Sequence, residues 1–374
     1  MSARVSKVRR VVETLRGEIH SGLYESSQFP SVVRLMRRFD LARATAVRVV
    51  ETLKGEKLVV SRPGKGTFAT DCTRRSGGAI GLIVPGVCYS EIFQPICRRI
   101  SQLAQERGLS LFFGGISSSD PVLRARQAVQ LARKFVSERV AGVLLQPIEF
   151  HADAVRINRE IVEAFRSASI PVVLIDNDIE LSPERSPLDV VGINCLDSGR
   201  VLATHLVKAG ARNLCFLMRP DWANSLKNRL AGVRSALPKG ARLTVSSVDP
   251  KDAKGVTKLI SGRGRPDAIL CRNDVDAAHL LATLHRLGKR VPADMMVTGF
   301  NDLGYAGLVT PPLTSVRMPV DDVAETAFRA LMERMERPSL PPREIFLPAP
   351  LVVRESTMRT GTPKGRLQTK GIKR

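Results

Sequence analysis

The chain has no apolar run approaching the roughly 18 residues that a membrane span needs. Its start, MSARVSKVRRVVETLRGEIH, is basic and amphipathic and lacks the apolar stretch of a secretory signal, so the expected location is the cytoplasm. Six cysteines (Cys72, Cys88, Cys97, Cys195, Cys215, Cys271) include no CxxC pair, and the five histidines form neither HExxH nor a Cys/His ligand spacing. A disulfide scaffold and a zinc site are therefore both unexpected, and the thiols read as free and mostly buried. No GxSxG elbow, GxxxxGK[ST] phosphate loop or matched acid–base pair occurs, so neither catalysis nor a cofactor is expected.

Positive charge, by contrast, is abundant. The 374 residues carry 58 Lys+Arg against 36 Asp+Glu, a formal net charge of +22. The excess sits at the two ends. Residues 1–75 hold 16 basic groups against 7 acidic, and residues 359–374 hold six against none. Such a balance speaks of partners rather than fold, and DNA is the first polyanion to consider. Residues 359–374 have little apolar content and read as a basic disordered tail.

Apolar residues recur at helical steps in 5–20 (Val8, Val11, Val12, Leu15, Ile19), then in 31–39 with Ser31 as N-cap, and again in 42–54. Short alternating runs at 58–62 and 67–69 flank Pro63-Gly64-Lys65-Gly66. Helix, helix, helix, hairpin is the order of a winged helix-turn-helix. In that motif the start of the third helix meets base edges, which selects Arg43, Ala44, Thr45 and Arg48. Arg34, Arg37 and Arg38 on the second helix, with Ser31, are placed to meet phosphates. Gly64, Lys65 and Gly66 form a small basic tip able to approach the backbone.

Residues 70–77 are polar and read as a linker. Beyond them, buried strand-like runs at 80–84, 109–113, 142–145, 172–176, 190–193, 213–217, 268–270 and 296–299 alternate with amphipathic helical stretches. This pattern predicts an α/β fold with parallel sheets covered on both faces, large enough for two lobes. The expected division is 1–69 for the DNA reader, 70–77 for the linker and 78–358 for a two-lobed domain. Lobe one is drawn at about 78–189 and 319–342, and lobe two at about 190–318 and 343–358.

Two resemblances follow. SGLYESSQFPS…LARATAVRVVETLKGEKLVVSRPGKGTF resembles the DNA-binding domain of the GntR family in Phe29-Pro30, in Arg43 with Thr45, and in the Gly64–Phe68 wing. Val32 and Val33, Ala42 and Val47 depart from its usual residues. IGLIVPG, VAGVLLQP, DSGRVLATHLVKAGARNLCFL, NRLAGV and the run 272–302 resemble the periplasmic-binding-protein-like effector domain of the LacI/GalR family. The combination is similar to the arabinose-repressor subgroup of GntR proteins. It implies a homodimeric repressor on a double-stranded, pseudo-palindromic DNA operator, released or retained by a small effector, most simply a carbohydrate.

In such a two-lobed α/β fold, ligand sits where loops leave the carboxyl ends of the strands. Those loops supply Tyr89, Glu91 and Phe93, then Ser117, Gln146, Asp176 and Asn194. Further along they supply Trp222, Asn224, Asn273 and Asn301. The resemblance adds Arg229 as the group that holds effector hydroxyls. Cys195 reads as an inert small residue. A solute-binding protein and an enzyme stay open as rival readings; the attached DNA reader argues against the first, and the missing motifs against the second.

Overall fold

In a computed structural model of the chain, the described residues are 2–20, 24, 29–56, 58–62, 66–69, 78–87, 91–116, 118–181, 183–218 and 224–358. The expected linker 70–77 and tail 359–374 lie outside them, as do Gly64, Lys65, Tyr89, Ser117 and Trp222.

The N-terminal unit consists of α1 (Ser2–His20), α2 (Val32–Phe39), α3 (Arg43–Gly55) and an antiparallel hairpin of β1 (Val59–Arg62) and β2 (Gly66–Ala69). Leu15, Leu35, Ala46, Val49 and Leu53 are fully buried and form one small core. Tyr24 and Phe29 close it with an edge-to-face contact at 5.1 Å. Ser31 caps α2 as the sequence suggested, its hydroxyl accepting from the Arg34 N–H at 3.3 Å. Asp40 then takes the left-handed conformation (φ 48°), so the chain re-enters a helix after only Leu41 and Ala42.

Next comes a parallel sheet with helices between its strands. The order is β3 (Ala79–Pro85), α4 (Phe93–Glu106), β4 (Ser110–Ile116), α5 (Pro121–Ser137), β5 (Val143–Leu145), α6 (Ala154–Ser167), β6 (Val172–Ile175) and β7 (Asp189–Ile193). The chain crosses to a second sheet through α7 (Cys195–Lys208), β8 (Asn213–Leu217), α8 (Asn224–Ser235), β9 (Arg242–Ser246) and α9 (Ala253–Ile260). This lobe continues with β10 (Ala268–Cys271), α10 (Asp274–Arg286), β11 (Met296–Asn301) and β12 (Thr314–Arg317). It returns for α11 (Val320–Glu336) and β13 (Glu344–Leu347), and ends with β14 (Leu351–Val352) back in the second sheet. The sheet orders are β4-β3-β5-β6-β7-β13 and β14-β12-β11-β10-β8-β9, with only the β12–β14 pair antiparallel. Strands such as β3 and β5 are buried on both faces, which is why they read as continuous apolar runs.

The lobe boundaries differ from those drawn on the sequence. β7 pairs with β6 and β13 pairs with β7, so both belong to lobe one, and the crossings fall near 194, 318 and 349. The cause is electrostatic as well as topological. Asp189 at the start of β7 is fully buried between Arg334 of α11 (2.7 Å) and Arg343 beside β13 (3.1 Å). Burial alone would raise its pKa, but hydrogen bonds from Arg343 and Arg334 outweigh that and hold the carboxyl below its ordinary value. The short strands β12, β13 and β14 and the half-exposed edge strand β9 carry no apolar run long enough to be legible.

Helices α7 and α8 touch through glycine. A Cβ on Gly199 would lie 2.0 Å from the Arg229 carbonyl oxygen, and one on Gly232 would lie 1.9 Å from that of Leu196. Both obstacles are backbone, so no rotamer change relieves them. Replacing glycine by alanine in a helix ordinarily gains about 1 kcal/mol, whereas overpacking costs about 1–3 kcal/mol. Gly232→Ala is therefore expected to lower the thermal unfolding midpoint by up to about 8 °C; a raised midpoint would show that the helices separate freely.

Candidate functional site

Two surfaces carry the residues singled out by sequence. On the N-terminal unit, Arg43, Ala44 and Arg48 are exposed along α3 and Thr45 is half-buried, while Arg34 and Arg37 are exposed on α2. Ala42, at the N-cap of α3, offers no side-chain acceptor, so that end of the helix keeps its positive character for an incoming anion. Gly66 opens β2 at φ 103°, a conformation that glycine adopts without strain. Arg38 departs from the expected phosphate contact. Its guanidinium is paired with Glu18 of α1 and donates to the Tyr24 hydroxyl at 3.0 Å. It also lies 4.8 Å from the Phe39 ring centroid. Arg38 thus ties α2 to α1, which the spacing of charges along α2 alone does not reveal.

Between the two lobes lies a cavity of about 190 Å³, and Arg229 of α8 lines it. Arg229 is only 5% exposed. One of its terminal nitrogens donates to the Arg272 carbonyl at 2.7 Å, and its guanidinium carbon sits 3.1 Å from the centroid of the Phe300 ring. Its Nε has no hydrogen-bond partner among the described residues. Burial lowers the Arg229 pKa from its ordinary value, against the pull of Cys195, Asp176 and Glu149. A buried cation needs compensation, and in lobe one Asp176 and Glu149 both act on it. Burial pushes Glu149 up to about 8, helped by Asp176 and opposed by Arg229. Burial likewise pushes Asp176 up to about 6, against Arg229. The Asn177 amide nitrogen donates to both carboxylates, at 2.9 Å to Glu149 and 2.8 Å to Asp176. Asp176 itself has φ 76°, a strained conformation for a non-glycine residue.

Other predicted residues divide between this cavity and its surroundings. Phe93, Asn273 and Asn301 line it, and Asn273 also caps α10 by accepting the Asp276 N–H at 2.9 Å. Asn194 caps α7, accepting the Asp197 N–H at 3.0 Å, and is not part of the cavity wall. Gln146 is buried with its Oε1 unpartnered among the described residues and is not part of the cavity wall. Glu91 is exposed near Tyr305, whose hydroxyl is raised by burial and by the Glu91 carboxylate. Asn224 crosses the lobes, its amide nitrogen donating to the Glu180 carbonyl at 2.6 Å, and lines a neighbouring chamber. Cys195 lines the cavity, and burial pushes its thiol up to about 11, so it is no thiolate at neutral pH.

Residues 203–357 match the family of periplasmic binding protein-like domains. The ribose operon repressor of Bacillus subtilis is 24% identical over 76% of this chain and 82% of its own. The HTH-type transcriptional repressor PurR of Mannheimia succiniciproducens is 26% identical over 74% of this chain and 80% of its own. Among solved structures, the transcription regulator GntR from Chromobacterium violaceum has a TM-score of 0.59 at 26% identity, covering 75% of this chain and 99% of that one. The two lobes have a periplasmic-binding-protein-like fold.

In this periplasmic-binding-protein-like fold the cavity faces the carboxyl ends of both sheets, where loops rather than strands choose the chemistry. Sequence reasoning found Arg229 and Asp176 but missed Glu149, Phe150, Arg272 and Phe300. Glu149 follows a buried strand by four residues, as Asp176 follows β6 by one. The signal present was a lone acid after an apolar run, and it does not reveal burial beside a second acid.

The two carboxylates make a signed prediction. Glu149 binds its proton more tightly in the folded chain (pKa about 8) than at its ordinary 4.5. Its contribution to stability is thus full below about 4.5 and is lost as pH rises through 8. Glu149→Gln is expected to raise the unfolding midpoint at pH 8.5 relative to the parent chain, with the gain shrinking towards pH 5. A gain that is equal at both pH values would show that Glu149 titrates normally.

Proposed function

We propose that the chain is a DNA-binding transcriptional repressor whose operator affinity is set by a small polar effector, a sugar, held between the lobes. The observation that carries this is the joining, in one chain, of a helical unit with an exposed arginine face to a periplasmic-binding-protein-like domain with a charged interlobe cavity. Relatives of similar length carry the names of transcriptional repressors, one of them of a ribose operon. Arg229, Asp176, Asn273 and Asn301 together offer donors and acceptors on several sides, which suits the adjacent hydroxyls of a sugar. Nothing in this arrangement asks for catalysis.

The finer reading takes residues 1–69 as a winged helix-turn-helix of the GntR kind, and the whole as similar to the arabinose-repressor subgroup. Its support is the helix order, the three-residue step between α2 and α3, the β1–β2 hairpin and the GKGTF sequence at the hairpin. On this reading Arg43, Ala44, Thr45 and Arg48 meet bases in the major groove. Ser31, Arg34, Gly64, Lys65 and Gly66 meet the sugar-phosphate backbone. A cytoplasmic homodimer places two such units on a pseudo-palindromic operator. Effector binding, by drawing the lobes together, changes the spacing of the two units; this requires unequal effector affinity in the two states.

The test is a gel shift with double-stranded DNA from immediately upstream of the gene, at several salt concentrations. Binding that weakens steeply with salt is expected. Arg43→Ala should weaken binding to the preferred site by about 10- to 100-fold and relax its sequence preference, as loss of a base contact does. Arg38→Ala should instead act through stability. No retarded band at low salt, with or without sugars, would remove the proposal.

A further inference from the structure

We infer that the cleft is built for an effector of at least two linked sugar units, the first at Arg229 and the second in an adjoining chamber walled by both lobes. This rests on the sugar reading above and extends it. The chamber measures about 410 Å³ and shares Glu149 and Phe150 with the smaller cavity of about 190 Å³. Small-molecule pockets usually measure about 300–1,000 Å³. The inner cavity alone falls short of that range, whereas the chamber beside it lies inside it.

The chamber's lining is two-natured. Ile148, Ile179 and Leu181 give it an aliphatic side, while His151, Asn224 and Lys227 bring ring nitrogen, amide and ammonium groups. A sugar ring has the same division, with C–H groups on its faces and hydroxyls around its edge. A planar base, by contrast, is better served by an aromatic sandwich, and the aliphatic side offers none. The chamber is also held in shape before any ligand arrives. The buried Asn158 amide accepts the Ile148 N–H at 2.8 Å and donates to the Ile148 carbonyl at 3.0 Å, fixing the loop after β5. The Asn224–Glu180 hydrogen bond spans the two lobes at its edge. Phe150, at φ 57°, stands on the wall common to both spaces, where a glycosidic link between the two rings would pass.

Isothermal titration of the full chain tests this with maltose, cellobiose, lactose and trehalose against glucose, galactose and ribose, with adenosine as the base-bearing probe. One disaccharide is expected to bind at least tenfold more tightly than its component monosaccharides. Leu181 is 45% exposed, so Leu181→Trp fills the chamber from its rim without disturbing the core. This variant should erase the disaccharide advantage while leaving monosaccharide affinity within about twofold. Lys227→Trp, which fills the chamber from the other lobe, should do the same, with circular dichroism confirming that both variants fold. A monosaccharide that binds as tightly as every disaccharide, with no effect of either tryptophan, overturns the extension and leaves the one-ring reading standing. Adenosine binding without sugar binding, or no binding by any probe, overturns both.

Discussion

A buried guanidinium organises the two-lobed domain. Arg229 lies on a helix face that is otherwise apolar, beside Leu226, Leu230 and Val233, and an unpaired charge there would cost several kcal/mol. Its compensation comes from separate elements: the Arg272 carbonyl after β10, the Phe300 ring in β11, and the Asp176 and Glu149 carboxylates in loops after β6 and β5. The first two belong to its own lobe and the last two to the other. The charge therefore acts across the cleft, and any separation of the lobes moves Arg229 away from its acids. Burial raises both carboxyls, the nearness of Asp176 adds to the rise at Glu149, and the Arg229 charge opposes it at both.

Packing sets the position of that charge. The glycines at 199 and 232 let α7 and α8 approach until backbone meets backbone, and the carbonyl against Gly199 is that of Arg229 itself. On the opposite side, a Cβ at Gly192 in β7 would lie 2.7 Å from the Asp176 carbonyl oxygen, so the strained turn carrying Asp176 also relies on a missing side chain. Arg229 and Asp176, whose charges act on each other across the cleft, are thus both placed by close approaches that only glycine permits.

In the N-terminal unit, similar arginines have separate tasks according to their neighbours. Arg38 is engaged by Glu18 and Tyr24 and joins two helices, and Arg16 is likewise paired with Glu56 at 2.7 Å, joining α1 to the end of α3. Arg34, Arg43 and Arg48 project outward instead. Internal pairing fixes the scaffold, and the outward set supplies the positive surface that a DNA backbone attracts.

Periodicity and turn chemistry in the amino-acid sequence determined the three-helix-and-hairpin order, the Ser31 cap and the parallel α/β grammar, because each depends on neighbours within a few residues. Asn213–Leu217 was legible as a strand to the residue, being continuous and apolar. Tertiary structure decided the rest. The assignment of Asp189–Ile193 and Glu344–Leu347 to lobe one depends on an ion triad that gathers residues about 150 positions apart. The meeting of Glu149 with Asp176 and Arg229, and the diversion of Arg38 to Glu18, are likewise long-range. The energy of a charge depends on what surrounds it in space, and a linear chain does not contain that information until it is folded.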